Sequence, residues 1–168
     1  MKRLLLVAAL LAGLLPAAAS AGIQAADELE APVLRELNRV RAEHRLPLLR
    51  ASRPLARAAD FHGVSMARRG YFTHDSFDGT SFDRRVARFY PVGSSAYWAV
   101  GENLLWSAST ITPRRVVELW MASPGHRRNI LSPRYRELGV AAVRASAAPG
   151  VFGGREVTIL VTDFGTRR

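Results

Sequence analysis

The sequence contains no cysteine, which excludes disulfide bonds and a lipid-modified cysteine. The protein must therefore be held together by its hydrophobic core. Lysine is almost missing too, because Lys2 is the only one and the other cations are arginines. Acidic residues are few, with 14 Asp and Glu against 24 Lys and Arg, so the formal net charge is +10. No stretch beyond the N-terminal region is apolar enough to cross a membrane.

The first 21 residues have the pattern of a secretory signal peptide. Lys2 and Arg3 form a charged start, residues 4–15 are apolar, and residues 17–21 are small. The apolar run is too short to span a bilayer, so a retained membrane anchor is the weaker interpretation. We expect cleavage after residues 19–21, which leaves a protein secreted into the extracellular space or the periplasm.

The excess of arginine indicates which partners to expect. A basic exported domain is attracted to anionic polymers or lipids of the cell envelope. Nucleic acid is not an expected partner, because the arginines are scattered along helix faces without a recognition motif. The length after cleavage suits a single domain, which we expect to be a monomer.

Helix signals dominate the first part of the chain and strand signals the last part. Residues 22–31 are predicted to be a flexible leader, followed by one domain over residues 32–168. Alternating strands are predicted at residues 97–106, 138–143 and 157–164. Helices followed by strands are typical of an α+β domain with helices packed on a small sheet.

Two of the four histidines lie in segments that suit chemistry. His44 and His62 lie on amphipathic helices and are interpreted as structural. His74 follows a helix in an irregular segment beside two aromatic residues. His126 falls in the first turn of a helix opened by Ser123, where the helix dipole disfavours a charged ring. A neutral imidazole could bind a metal or accept a proton, although a loop-capping role is an equal alternative.

Glu102 is unusual for its place in the predicted strand. It shares a strand face with two tryptophans, a valine and a leucine (Trp98, Val100, Leu104 and Trp106). A buried carboxylate must find a partner or take up a proton. A functional role is favoured, while backbone hydrogen bonding or a kink at Gly101 would be structural alternatives.

Three segments together resemble the bacterial branch of the CAP superfamily, which comprises cysteine-rich secretory proteins, antigen 5 and plant pathogenesis-related proteins. These segments are residues 72–74 (Phe-Thr-His), 101–104 (Gly-Glu-Asn-Leu) and 120–131, the last being the longest and most specific. The resemblance covers about residues 33–164. It implies a three-layer α-β-α sandwich with a cleft where two histidines and two acidic residues meet, and where the histidines can hold a divalent metal.

The resemblance assigns the histidines to His74 and His126 and the first acid to Glu102. The second acid is expected about one helical turn after the tryptophan matched by Trp120, where this chain has Ser123. Glu118 is nearby but precedes that tryptophan. Two imidazoles and a carboxylate would suit zinc with water in the fourth position. Alternatively, Glu102 could orient one imidazole from outside the ligand set.

Three functions remain open from the sequence. The first is a secreted module whose cleft binds a divalent metal, with zinc expected, and a small or lipidic ligand. The second is a metal-assisted hydrolase or peptidase, since zinc-bound water can act as a nucleophile. The third is an envelope module that binds anionic polymers or lipids. A serine hydrolase is not favoured, because no Gly-x-Ser-x-Gly segment is present.

Overall fold

Most helices begin where the sequence places a capping residue. The computed structural model describes residues 22–168, so the predicted signal peptide lies outside the described residues. Ser52, Ser81, Thr112 and Ser123 each precede a helix, and Gly70, with a positive φ of 71°, ends the helix that follows Ser52. The helices are α1 (Glu30–Glu43), α2 (Arg53–Arg69), α3 (Phe82–Ala87), α4 (Pro113–Ala122) and α5 (Pro124–Ile130).

A five-stranded sheet forms the middle of the molecule. Its strands are β1 (Ile23–Ala25), β2 (Arg50–Ala51), β3 (Trp98–Ser107), β4 (Glu137–Ala148) and β5 (Arg155–Arg167). The order is β1-β4-β5-β3 with antiparallel neighbours, and β2 pairs in parallel with the beginning of β4. Two of the three predicted strands, β4 and β5, are several residues longer than their patterns indicated.

Helices cover both faces of this sheet. On one face, α1, α4 and α5 pack through residues such as Leu37, Trp120 and Ile130 onto Leu138 and Leu160. On the other face, α2 places its alanines and Met66 against alternate residues of β4 and β5. The predicted three-layer α-β-α sandwich of the α+β class is confirmed.

The segment predicted to be a flexible leader is part of the fold instead. Residues 23–25 form β1, which pairs with β4, and residues 27–29 form a 3-10 turn. Ala26 is fully buried between them. Three residues are too few for an alternating pattern to predict a strand, and β1 forms because it pairs with the edge of β4.

One glycine sets how closely α2 approaches the sheet. A Cβ atom on Gly139 would collide with the backbone of Leu55 and Ala56 in the first turn of α2. Gly139 pairs across the sheet with Asp163. The close approach therefore covers this part of β5 and excludes water from it.

None of the helices in residues 22–168 is long and apolar enough to cross a membrane.

Candidate functional site

Glu102 lies where the strand pattern predicts, beneath the α2–α3 layer. Strand β3 is regular, and the neighbours of Glu102 on this face, Val100 and Leu104, pack into the hydrophobic clusters of that layer. Only 1% of the Glu102 side chain is exposed. A carboxylate this deeply buried requires partners to offset its lost hydration.

The principal partner of Glu102 is a buried arginine of α3. Arg85 is fully buried and forms an ion pair with Glu102 Oε2. The same guanidinium donates a 2.6 Å hydrogen bond to the backbone carbonyl of His74. Arg85 was not predicted from the sequence, although its spacing from Phe82 and Phe89 puts it on the buried face of the short helix. That position was the available signal.

His74 contacts the other oxygen of the same carboxylate. Its Nδ1 lies 2.7 Å from Glu102 Oε1, and 53% of the side chain is exposed. The hydrogen bond to Glu102 raises the pKa of His74, more than burial lowers it. Because Glu102 accepts a hydrogen bond from the Nδ1–H group, the Nε2 atom of a neutral ring carries the free lone pair.

A second buried acid lies directly across the sheet from Glu102. Asp163 pairs in register with Glu102 and is completely buried. Neither of its oxygens faces a hydrogen-bond donor among residues 22–168. Burial first, and the Glu102 carboxylate second, raise the pKa of Asp163 well above its ordinary value, whereas Arg85 lowers it. A protonated Asp163 can donate a hydrogen bond to Glu102, which two carboxylates could not form.

Two asparagines attach the short helix α5 to β3. Asn103 Nδ2 donates a 3.2 Å hydrogen bond to the carbonyl of His126. Asn129 Nδ2 donates to the carbonyl of Glu102 at 3.0 Å and to Asn103 Oδ1 at 2.9 Å. These bonds hold α5, which contains His126, next to β3 at Glu102 and Asn103.

His126 is held in its neutral form, but chiefly by burial. Burial lowers the pKa of His126, and the charge of His74 lowers it further. The helix dipole invoked from the sequence would act in the same direction. His74 and His126 are both held beside β3, His74 through the Glu102 side chain and His126 through its backbone carbonyl.

The two residues considered for the second acid do not join Glu102. Ser123 connects α4 to α5, and its hydroxyl caps no backbone group in residues 22–168. Glu118 is exposed on α4, where it pairs with Arg114 at 3.0 Å and Arg115 at 3.4 Å. Asp163 is the acid found beside Glu102. The sequence hides it, because a single Asp in an apolar terminal strand gives no sign of its neighbour across the sheet.

The remaining histidines are structural, as predicted. His44 ends α1, and its Nδ1 lies 2.8 Å from the carbonyl of Val40. His62 is fully buried, and its Nε2 lies 2.9 Å from the carbonyl of Thr73. Burial lowers the pKa of His62 to about 4, so this ring is neutral.

A cavity of about 340 Å³ opens beside His74. Its walls are formed by His74, Phe82, Val100, Gly101, Glu102, Asn129 and Tyr135. Gly101 is required here, because a Cβ would lie 3.0 Å from Asn129 Oδ1 and closer still to the Tyr135 hydroxyl. That hydroxyl donates a 3.0 Å hydrogen bond to the carbonyl of Val100, which fixes the wall of the cavity.

The predicted three-ligand metal set does not fit this geometry. Both oxygens of Glu102 are engaged, one by His74 and one by Arg85. Among residues 22–168, no group of three or more His, Asp or Glu side chains is arranged to hold a metal ion. Two imidazoles remain available, because Nε2 of His74 and the ring of His126 have no hydrogen-bond partner within these residues. The geometry favours the alternative in which Glu102 orients His74.

The family assignment follows from the whole arrangement. The α-β-α sandwich is the fold expected of a CAP-type domain. The model of the CAP family, described as the cysteine-rich secretory protein family, matches residues 34–162. The chain therefore belongs to the CAP family.

Relatives of known sequence or structure agree with this assignment. The protein YkwD of Bacillus subtilis is 31% identical over 119 residues, which are 70% of this chain and 44% of YkwD. An extracellular protein of Bacillus anthracis that contains an SCP domain has a TM-score of 0.63 at 25% identity, covering 82% of this chain and 40% of that one. An outer surface protein of Borrelia burgdorferi has a TM-score of 0.73 at 20% identity, covering 88% of this chain and 99% of that one.

The matched region of YkwD is less than half of that protein. The Borrelia burgdorferi protein is 20% identical to this chain, so the comparison shows a shared fold and nothing further.

Proposed function

We propose that this chain is an exported CAP-domain module that binds a divalent transition-metal ion through His74 and His126. The observation that supports this most directly is the 2.7 Å contact between His74 Nδ1 and Glu102. A carboxylate on one ring nitrogen fixes the tautomer and makes the other nitrogen a better metal ligand. The location outside the cell is supported by the N-terminal pattern and by the extracellular relative.

The residues of the chain have separate tasks in this proposal. His74 supplies Nε2 at the exposed edge of the cavity, and His126 supplies a ring that burial keeps neutral. Glu102 orients His74, and Arg85 fixes Glu102. A bound ion would supply Lewis acidity and open coordination positions for water or a ligand donor. The adjoining cavity, with its Phe82, Val100 and Tyr135 walls, suits the apolar part of a small ligand.

Calorimetric titration with zinc tests this proposal. His74→Ala and His126→Ala should each abolish most of the zinc binding, because each removes one of two ligands. The double variant should lose little more than either single one, since both residues serve one ion. His44→Ala, at the end of α1, is the matched control and should bind as the original chain does. Full affinity in either site variant would rule out the shared ion.

The pH dependence of zinc binding follows from the pKa shifts of His74 and His126. Protons compete with zinc for both rings, so affinity falls as the rings become charged. Because the pKa of His74 is raised, this loss should begin above the ordinary histidine value of about 6.5. In Glu102→Gln the pKa of His74 is no longer raised, so the loss should begin at lower pH.

A further inference from the structure

The outer face of α2 exposes aromatic side chains to solvent. Phe61 is 46% exposed and Phe77, in the loop after α2, is 58% exposed. The Phe61 ring lies 5.7 Å from the Phe89 ring, and the Arg69 guanidinium lies 4.8 Å over the Phe77 ring. A contiguous exposed apolar patch, unlike a single exposed side chain, marks a surface for interaction.

A groove of about 460 Å³ runs along this face. Phe61, Val64 and Phe89 give it an apolar floor. The groove is on the opposite side of the sheet from α4 and α5 and does not share lining residues with the cavity beside His74. It is therefore separate from the proposed metal site.

The charges along the groove are mainly positive. Arg57 lies at one end and Arg68 and Arg69 at the other, about 16 Å apart for eleven helical residues. None of the three forms an ion pair with a carboxylate among residues 22–168. Asp60 is the one acidic residue that lines the groove.

Some arginines on other helices have carboxylate partners at the surface. Arg39 on α1 pairs with Glu36 and Glu43. Arg114 and Arg115 on α4 pair with Glu118. Three guanidinium groups without such partners leave the α2 face able to bind anions.

We propose that the outer face of α2 binds a bilayer surface rich in anionic phospholipid. Phe61 and Phe77 would enter the interfacial region, where aromatic side chains are favourable, while Arg57, Arg68 and Arg69 bind lipid phosphates. A hydrophilic anionic polymer would attract the arginines but would gain nothing from exposed phenylalanines. The combination of both residue types on one face favours the bilayer, and the proposal does not depend on metal binding.

A face-specific probe can test this in the full chain, because the sequence has no cysteine of its own. Ser65→Cys places a polarity-sensitive fluorophore in the groove, and Ala122→Cys places the same fluorophore at the end of α4. The probes are observed with vesicles of phosphatidylcholine, with and without phosphatidylglycerol. We expect a blue shift at position 65 with the anionic vesicles only, and none at position 122. If the chain bound vesicles only through residues 1–21, both probes would stay in water and neither would show a blue shift.

Charge and aromatic variants then separate the two contributions. Replacing Arg57, Arg68 and Arg69 by Gln should weaken vesicle partitioning roughly 100-fold, at about fivefold for each arginine near the surface. The matched control replaces Arg39, Arg114 and Arg115 by Gln, which removes the same charge from the other helices and should have a much smaller effect. Phe61→Ser with Phe77→Ser should weaken binding about tenfold without unfolding the domain, since both rings are exposed.

Three results would overturn the proposal. One is equal shifts of the two probes, which indicates non-specific adsorption. Another is the absence of any shift at position 65. The third is a loss of binding in the arginine variant with no loss in the phenylalanine variant, which would identify a surface for anionic polymers instead.

Discussion

Glu102→Leu is expected to lower the free energy of unfolding by about 3–5 kcal/mol, a large part of the stability of a domain of this size. Leucine has a suitable shape for the apolar strand face, so the strand pattern alone would suggest that it is tolerated. The structure indicates the opposite, because the change leaves the guanidinium of Arg85 fully buried without its counterion. Chemical denaturation at neutral pH measures the effect.

The double variant Glu102→Leu with Arg85→Met separates the charge from the packing. Removing both charges should recover much of the stability, since well-packed apolar residues can replace a buried ion pair at little cost. Glu118→Leu is the control, because its carboxylate pairs with two arginines at the surface, where such pairs contribute less than about 1 kcal/mol. If Glu102→Leu were no more destabilising than Glu118→Leu, the ion pair with Arg85 would not be a stabilising element of the core.

Asp163→Asn is expected to stabilise the domain at neutral pH, which is unusual for a change in a fully buried site. The pKa of Asp163 in the folded state is raised above the unfolded value of 3.8. Between these two pKa values the folded chain keeps a proton that the unfolded chain releases. The contribution of Asp163 to stability is therefore greatest below about pH 4 and declines by about 1.4 kcal/mol for each pH unit up to the folded pKa. Asparagine is neutral at every pH and removes this decline.

Urea-induced unfolding measured from pH 4 to pH 8 tests the predicted direction of this pH dependence. The advantage of Asp163→Asn over the original chain should be small near pH 4 and should increase as the pH rises. Asp78→Asn is the control with the opposite sign, because hydrogen bonds from Thr80 lower the pKa of Asp78. That carboxylate contributes stability above its unfolded pKa, and the variant should lose it. A destabilised Asp163→Asn at pH 7 would show that Asp163 is ionised and needed as an anion.

The elements of the fold could largely be predicted from sequence because their signals are local. Ser52, Thr112 and Ser123 precede helices, Gly70 ends one, and the alternation around Glu102 identified both the strand and its buried face. Each signal depends on neighbours within a few positions along the chain. The edge strand β1 was missed because its stability comes from pairing with a distant strand.

The site could be predicted only in part, for the same reason. His74, Glu102 and His126 come from segments with recognisable patterns. Arg85 and Asp163 decide the charge balance of the site, but each meets Glu102 only through tertiary structure. No spacing along the chain shows that a carboxylate on β3 has an acid beside it on β5. The sequence likewise does not show that His74 and Arg85 occupy both oxygens of Glu102, so that Glu102 is not available as a metal ligand.

Proton NMR titration of the histidine rings examines the arrangement around Glu102 directly, and the chain has only four histidines to assign. We expect His74 to titrate above the ordinary value, His126 below it, and His62 at about 4. In Glu102→Gln the resonance of His74 should move down toward the ordinary histidine value, because the hydrogen bond to a carboxylate is its largest upward influence. If His74 titrated at the ordinary value in the original chain and did not move in Glu102→Gln, Glu102 would not orient the ring, and the proposed site would be wrong.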